Sequence, residues 1–130
     1  RKWPWFWKNV GGLFIRHAPF QEFDVKIIDN THISTSFLPE TWTRPDECYY
    51  VHHINPDIHV LLAADMTTVE DEGKEGYPGT AFGDLFPLAW HHEFEGGRQW
   101  FTALGHSPED YSDPVLVNHI MGGIAWAVGE

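Results

Sequence analysis

The sequence predicts an α/β domain, and three stretches carry this prediction. In residues 88–105, two runs rich in aromatic and β-compatible residues flank Gly96-Gly97. That glycine pair can adopt the positive φ angles of a tight hairpin turn. A Val- and Leu-rich run at 59–64 is typical of a buried strand. Residues 114–128 repeat apolar side chains at helical spacing, which predicts a C-terminal helix.

The composition fits a single globular domain over residues 1–130, with 42% hydrophobic and 15% aromatic residues. The net charge of −11 argues against binding the nucleic-acid backbone, which requires a basic surface. It also argues against anionic membrane surfaces. No apolar run reaches transmembrane length, so we expect no membrane insertion.

The aromatic region at the start of the chain, residues 1–20, predicts a short helix or turn near 6–14 that is broken at the glycines. Trp3, Trp5 and Trp7 are expected to pack in the core, and the alternative is a surface on which a sugar stacks. Any exposed part of this region is expected to be covered by a second copy of the chain or by another partner.

The middle of the chain alternates between strands and loops. Residues 23–29 predict a strand and 30–40 a polar loop. A short strand is expected at 47–51. The acidic, glycine-rich stretch 67–82 predicts a flexible loop that could serve as a lid.

The predicted hairpin determines which side chains share a face. With Gly96-Gly97 as the loop, Glu95 faces Arg98 and His92 faces Phe101. Strand alternation then places two sets on opposite faces: Trp90, His92, Phe94, Gln99, Phe101 and Ala103 on one, and His91, Glu93, Glu95, Arg98, Trp100 and Thr102 on the other. Because His106 follows the second strand, it lies at the opposite end of the hairpin from Arg98.

Two helix starts are predicted in the C-terminal part of the sequence. Ser107-Pro108 predicts a helical turn, and Asp113-Pro114 predicts the start of the last helix. One apolar face is expected to pack on the core: Val117, Ile120, Met121, Ile124 and Val128. Gly122-Gly123 costs about 1 kcal/mol per residue relative to alanine. We therefore expect a close contact with a neighbouring element to offset that cost.

The candidate acid–base residues are histidines and carboxylates near predicted strand ends. His106 is a candidate catalytic base or ligand, and the alternative is a structural histidine that caps the loop. Glu47 is a candidate general acid or base that Arg44 or Asp46 orients, and the alternative is a set of loop ion pairs. His92 is a further catalytic candidate. It cannot chelate one metal together with His91, because adjacent strand residues point to opposite faces.

The candidate substrate contacts are Trp90 as a stacking wall, together with Asp46, Arg44 and Arg98. For Arg98 the simpler alternative is a surface salt bridge with Glu95, worth about 0–1 kcal/mol. Cys48 is the only cysteine, which excludes an internal disulfide. It lacks the glycine-flanked turn of a nucleophile elbow, so we expect a half-buried structural thiol.

Several motifs resemble the C-terminal part of a ThuA-like (trehalose-utilisation) domain. They are Trp-His-His-Glu-Phe-Glu-Gly-Gly-Arg at 90–98, Phe-Thr-Ala-Leu-Gly-His at 101–106, Tyr-Ser-Asp-Pro at 111–114, Gly-Gly-Ile-Ala-Trp-Ala at 122–127 and the Trp/Arg/Asp-Glu/Tyr segment at 42–50. The resemblance implies a class I glutamine-amidotransferase-like fold, which is a flavodoxin-like three-layer sandwich. The family's domain has a further large segment before the position of Trp3, so the resemblance implies a partial domain here.

The resemblance also bears on the site. It favours His106 and His92 as functional residues and implies a periplasmic or extracellular location. Many relatives carry a histidine where this chain has Phe86, and this difference argues against a zinc site. The resemblance still allows a divalent metal as the cofactor. The setting of Cys48 does not match the nucleophile of a glutamine amidotransferase.

Two classes of function follow. The first is an enzyme that acts on a carbohydrate, trehalose or a related disaccharide, by a hydrolase- or isomerase-like step. The second is a non-catalytic carbohydrate-binding or interaction module. The enzyme requires His106 and Glu47 to lie within about one water-bridged reach of each other.

Overall fold

The computed structural model describes residues 3–130. These described residues form two α-helices, α1 (Pro4–Val10) and α2 (Pro114–Ala127), and two short 3-10 helices (Met66–Thr68 and Pro108–Ser112). They also form seven strands: β1 (Leu13–His17), β2 (Gln21–Ile27), β3 (Thr41–Asp46), β4 (Tyr49–His52), β5 (His59–Asp65), β6 (Ala81–Phe94) and β7 (Gly97–Thr102). No helix among the described residues is both long and apolar enough to cross a membrane.

The strands form an antiparallel five-stranded sheet in the order β3-β2-β5-β6-β7 and a separate antiparallel pair, β1-β4. The flavodoxin-like arrangement expected from the resemblance has a parallel central sheet, and residues 3–130 do not show one. The buried strand predicted from the Val- and Leu-rich run at 59–64 is confirmed as β5, in which Leu61 to Ala64 are all buried. A central strand covered on both faces has this composition whether its neighbours are parallel or antiparallel, so the run did not reveal the strand direction.

The hairpin between β6 and β7 is confirmed, but its turn lies one residue earlier than predicted. Glu95 and Gly96 form the loop, with φ angles of 49° and 81°, and Phe94 pairs with Gly97. Arg98 therefore faces Glu93, and the expected pair with Glu95 is wrong. Moving the turn by one residue changes each partner by two positions, which preserves the predicted faces.

Both faces of the large sheet are covered. On one face, Trp90 stacks on Phe101 with ring centroids 4.4 Å apart and donates to the carbonyl of Val10 at the end of α1. Gly11 packs against the same indole so closely that a Cβ atom there would lie 2.1 Å from its nitrogen. On the other face, the ring of Trp100 occupies the space beside Gly123 in α2.

The helix α2 begins as predicted, with the Asp113 carboxylate accepting from the backbone N–H of Val115. Its predicted apolar face is wrong for three of the five residues, because Met121 is 56% exposed and Ile124 and Val128 are also exposed. Val117 and Ile120 are half-buried, and Ile120 packs against the core. The buried residues are instead Leu116, His119, Gly122 and Gly123. The two glycines let the helix approach the sheet and the 28–40 loop closely, and this approach selects the buried face.

The first helix, α1, ends at the glycines as predicted, but it covers only the first part of the 6–14 region and buries none of its residues. Trp3 is 74% exposed and Trp5 is 53% exposed, so core packing is wrong for both. Trp5 donates its indole N–H to Glu95 at the hairpin turn. The predicted 67–82 loop is shorter than expected, since β6 already begins at Ala81.

Candidate functional site

Glu47 and His106 meet at one end of the large sheet. Glu47 lies in the two-residue connection between β3 and β4, and His106 follows β7. Nδ1 of His106 lies 3.1 Å from Oε2 of Glu47. The glutamate side chain is 13% exposed and the imidazole 45% exposed, so solvent and ligands can reach the histidine.

This contact determines the tautomer of His106. The negative Glu47 carboxylate attracts an N–H group and repels a lone pair, so the tautomer with the proton on Nδ1 of His106 is favoured beside it. The lone pair of the neutral ring then lies on Nε2. A carboxylate that holds an imidazole in this way also stabilises the imidazolium formed when Nε2 takes up a proton.

Asp46 holds the two segments together. It is fully buried, and its carboxylate accepts from the backbone N–H of Gly105 at 2.8 Å and of His106 at 3.3 Å. The same carboxylate accepts from the N–H of Glu47 at 2.8 Å. Asp46 therefore ties the segment after β7 to the end of β3. Its oxygens are already used, so Asp46 is placed as a positioning residue and not as an open substrate contact.

Arg44 supports Asp46 from inside the protein. Its guanidinium pairs with Asp46 and, through Nη2, with Asp110 at 3.0 Å. It also lies over the Trp42 ring, 5.1 Å from the centroid. At 4% exposure the side chain of Arg44 is sealed, so it too is a positioning residue.

His17 also lies close to Glu47, although nothing in the sequence predicts it there. Its Nδ1 lies 3.6 Å from Oε1 of Glu47 and donates to the carbonyl of Ala18 at 2.7 Å. The residue comes from β1 and reaches the site because β1 pairs with β4, which places His17 opposite Tyr49. No local motif marks His17, so only the strand pairing could have revealed it.

A cavity of about 350 Å³ opens beside these residues. Its walls come from β1, β4, the end of β7 and the Pro108–Ser112 helix: Phe14, Tyr49, Phe101, Thr102, Ala103, Leu104, Gly105, His106 and Tyr111. Burial raises the pKa of Tyr49, and a hydrogen bond and the charge of nearby Glu47 add to this effect. Tyr49 is therefore a neutral hydroxyl at physiological pH.

Three other candidate residues lie elsewhere. Trp90 is 1% exposed and fills the core, so its ring offers no face to a ligand. His92 is buried beside α1, with Nε2 3.3 Å from the Lys8 carbonyl oxygen. Arg98 donates to the Trp126 carbonyl at 2.8 Å and lies over that indole. The structure thus brings together His106, Glu47, Asp46 and Arg44 only.

Neither Cys48 nor any group of metal-binding side chains forms a further site among the described residues. Burial raises the pKa of the Cys48 thiol to about 12, which keeps it protonated and unreactive at neutral pH. The thiol is fully buried, not half-buried as expected. In the described part of the chain, no group of three or more His, Cys, Asp or Glu side chains has the geometry to hold a metal ion.

Sequence comparison decides the family. The family profile for ThuA, described as trehalose utilisation, matches residues 1–127. The chain belongs to the ThuA family. No curated protein sequence matches this ThuA domain.

Two solved structures share the fold. A ThuA-like protein from Bacteroides uniformis superposes with a TM-score of 0.73 at 24% identity, over 99% of this chain and 53% of the other. A ThuA-like protein from Parabacteroides merdae superposes with a TM-score of 0.62 at 19% identity, over 95% of this chain and 50% of the other. The ThuA domain described here therefore spans about half the length of these two proteins.

Proposed function

We propose that this ThuA domain binds a carbohydrate in the cavity beside Glu47 and His106 and acts on it by proton transfer. The observation that carries the proposal is the 3.1 Å contact between the Glu47 carboxylate and the His106 imidazole at an open cavity. A half-exposed imidazole with its basic nitrogen free and its other nitrogen held by a carboxylate is a general base.

The roles of the two residues differ from those expected from sequence alone. His106 acts as the base through Nε2. Glu47 orients the ring and balances the charge of the imidazolium, so it does not itself need to exchange a proton with the sugar. Asp46 and Arg44 act one step further away, because they hold the backbone that carries His106.

The cavity suits a small polar ligand. Its volume of about 350 Å³ lies at the lower end of the range for small-molecule pockets. Phe14 and Tyr111 are both at least half exposed there, which provides apolar surfaces for the C–H face of a sugar ring. These two rings take the stacking role that was expected of Trp90 from its sequence position.

A non-catalytic carbohydrate-binding module is the second candidate. One observation favours it: Trp3, which precedes α1, and Trp5 and Phe6 on α1 are more than half exposed and form a separate aromatic surface. A sugar bound there would have no acid–base group of the Glu47–His106 pair beside it. The two candidates therefore place the sugar on different parts of the molecule.

The test is sugar binding by the whole chain, measured by calorimetry and thermal shift with trehalose, sucrose, maltose and glucose. We expect His106→Ala to weaken the affinity at least tenfold, or about 1.4 kcal/mol, while the exposed His53→Asn has no effect. Proton NMR of the incubated sugar would then follow its conversion. Loss of binding in Trp5→Ala but not in His106→Ala would favour the module, and no response to any of the four sugars would contradict both candidates.

A further inference from the structure

We propose that His17 is a second acid–base group of this site, so that one proton is shared between two imidazoles on opposite oxygens of Glu47. This inference rests on the proposed function and adds a residue and a reaction type to it. His106 faces Oε2 of Glu47 and His17 faces Oε1. Both imidazoles are more than 40% exposed. His106 lines the cavity, and His17 lies against Tyr49, which lines the same cavity.

The tautomer of His17 follows from its backbone contact. A carbonyl oxygen only accepts hydrogen bonds, and the Ala18 carbonyl lies 2.7 Å from Nδ1 of His17. Nδ1 therefore carries a proton, and the lone pair of the neutral ring lies on Nε2. His17 and His106 are thus held with their Nδ1–H groups engaged and their Nε2 atoms left for the ligand.

The charges around the two imidazoles favour one proton over two. The groups that face them from the neighbouring elements are Glu47 and Asp46 between β3 and β4, Tyr49 on β4, and Asp110 and Tyr111 on the 3-10 helix. Arg44 already neutralises one charge of the Asp46 and Asp110 pair. One imidazolium beside Glu47 makes a neutral pair, whereas a second would add an unbalanced positive charge.

This arrangement allows a balanced transfer. On a sugar with a free anomeric hydroxyl, Nε2 of neutral His106 takes the proton of that hydroxyl as the C1=O bond forms and the bond between C1 and the ring oxygen breaks. Nε2 of protonated His17 gives its proton to the ring oxygen as that bond breaks. The sugar loses one proton and gains one, the imidazolium charge moves from His17 to His106, and Glu47 stabilises both states. No oxidant, reductant or other co-reactant is needed.

The same geometry disfavours hydrolysis of a glycoside by the usual pair of carboxylates. Asp46 is next to Glu47 in sequence, but it is fully buried and its oxygens accept from three backbone N–H groups and Arg44. Within the described residues of this site, Glu47 is therefore flanked by two imidazoles and not by a second available carboxylate. The site is suited to proton transfer of the isomerase type.

The test is nitrogen NMR of the whole chain labelled at histidine, during titration with the same four sugars. We expect the neutral rings of His17 and His106 to carry their protons on Nδ1. Their Nε2 resonances should shift with one common dissociation constant, while His53 does not respond. Sugar affinity should fall at least tenfold in His17→Gln, as in His106→Ala, and should stay unchanged in His53→Asn.

The outcomes separate this inference from the proposed function. A response of His106 alone, or a proton on Nε2 of neutral His17, would overturn the second acid–base group and leave the proposed function standing. A sugar affinity unchanged in His17→Gln would also overturn it. If neither imidazole shows a shift during the sugar titration, the proposed binding site itself is wrong. Release of glucose from trehalose that is lost in Glu47→Gln would contradict the isomerase-type reaction.

Discussion

Two adjacent carboxylates, Asp46 and Glu47, have different tasks because their surroundings differ. Asp46 is fully buried and its oxygens are occupied by Arg44 and by three backbone N–H groups. Glu47 instead lies close to two imidazoles, 3.1 Å from His106 and 3.6 Å from His17. At the scale of single residues, Asp46 therefore builds the site, and Glu47 sets its charge.

This division predicts the effect of Asp46→Asn. The amide keeps the shape but removes the charge that balances Arg44, and its NH2 group cannot accept from the backbone N–H groups. Breaking a buried pair of this kind costs about 3–5 kcal/mol, so urea unfolding should show a loss of that order. Sugar affinity should fall as well, because His106 loses its anchor. The exposed Asp57→Asn serves as the control, and an equal effect of both variants would contradict this role.

At the scale of elements, the glycine face of α2 gives a second prediction. A Cβ atom on Gly122 would lie 2.6 Å from Cα of Ser34 and 2.7 Å from the carbonyl oxygen of Ile33. These are backbone atoms that cannot rotate away. Gly122→Ala should therefore destabilise the protein by about 1–3 kcal/mol, although alanine is the better helix former. Asn118→Ala, on the exposed side of the same helix, should leave the stability unchanged or raise it slightly. A stable Gly122→Ala protein in thermal unfolding would show that the helix can move outward.

The same helix shows what the sequence could and could not predict about the elements. Its start was readable from Asp113-Pro114, because capping is a local interaction. Its buried face was not, because hydrophobic periodicity points to Met121 and Ile124 while close packing selects the glycines. The hairpin faces were likewise predictable from strand alternation, although the register was not.

At the scale of the whole molecule, the residues of the site were predictable from sequence only where a local signal marks them. His106 and Glu47 could be proposed from their positions near predicted strand ends, and the antiparallel sheet brings them together. His17 could not, because the pairing of β1 with β4 is a long-range contact without a local signal. Strand direction also escaped prediction, since a buried strand has the same composition in parallel and antiparallel sheets.

A buried histidine beneath the sheet links stability to pH. His119 is fully buried, with Nδ1 2.9 Å from the Ser34 carbonyl oxygen and Nε2 3.0 Å from the Thr102 hydroxyl. The carbonyl accepts from Nδ1, and the hydroxyl donates to Nε2, so the neutral ring satisfies both contacts. Burial lowers the pKa of His119 to about 4. His91 lies against His32 and His59, and burial together with these rings lowers its pKa to about 4 as well.

Stability should therefore fall as the pH drops from about 6.5 to about 4. In this window the histidines are protonated in the unfolded chain but neutral in the folded protein. Because the unfolded state binds more protons, a lower pH stabilises it relative to the folded state. Each such histidine adds a slope of up to about 1.4 kcal/mol per pH unit to the free energy of unfolding. Asp29, with a pKa lowered to about 2, adds its own loss only at lower pH. Urea unfolding at intervals from pH 7 to pH 4.5 should show the decline. His119→Gln should be less stable at pH 7 and should show a slope that is smaller by about one proton, whereas His53→Asn should keep the slope of the parent protein. A slope that is the same in all three proteins would mean that His119 takes up its proton in the folded state.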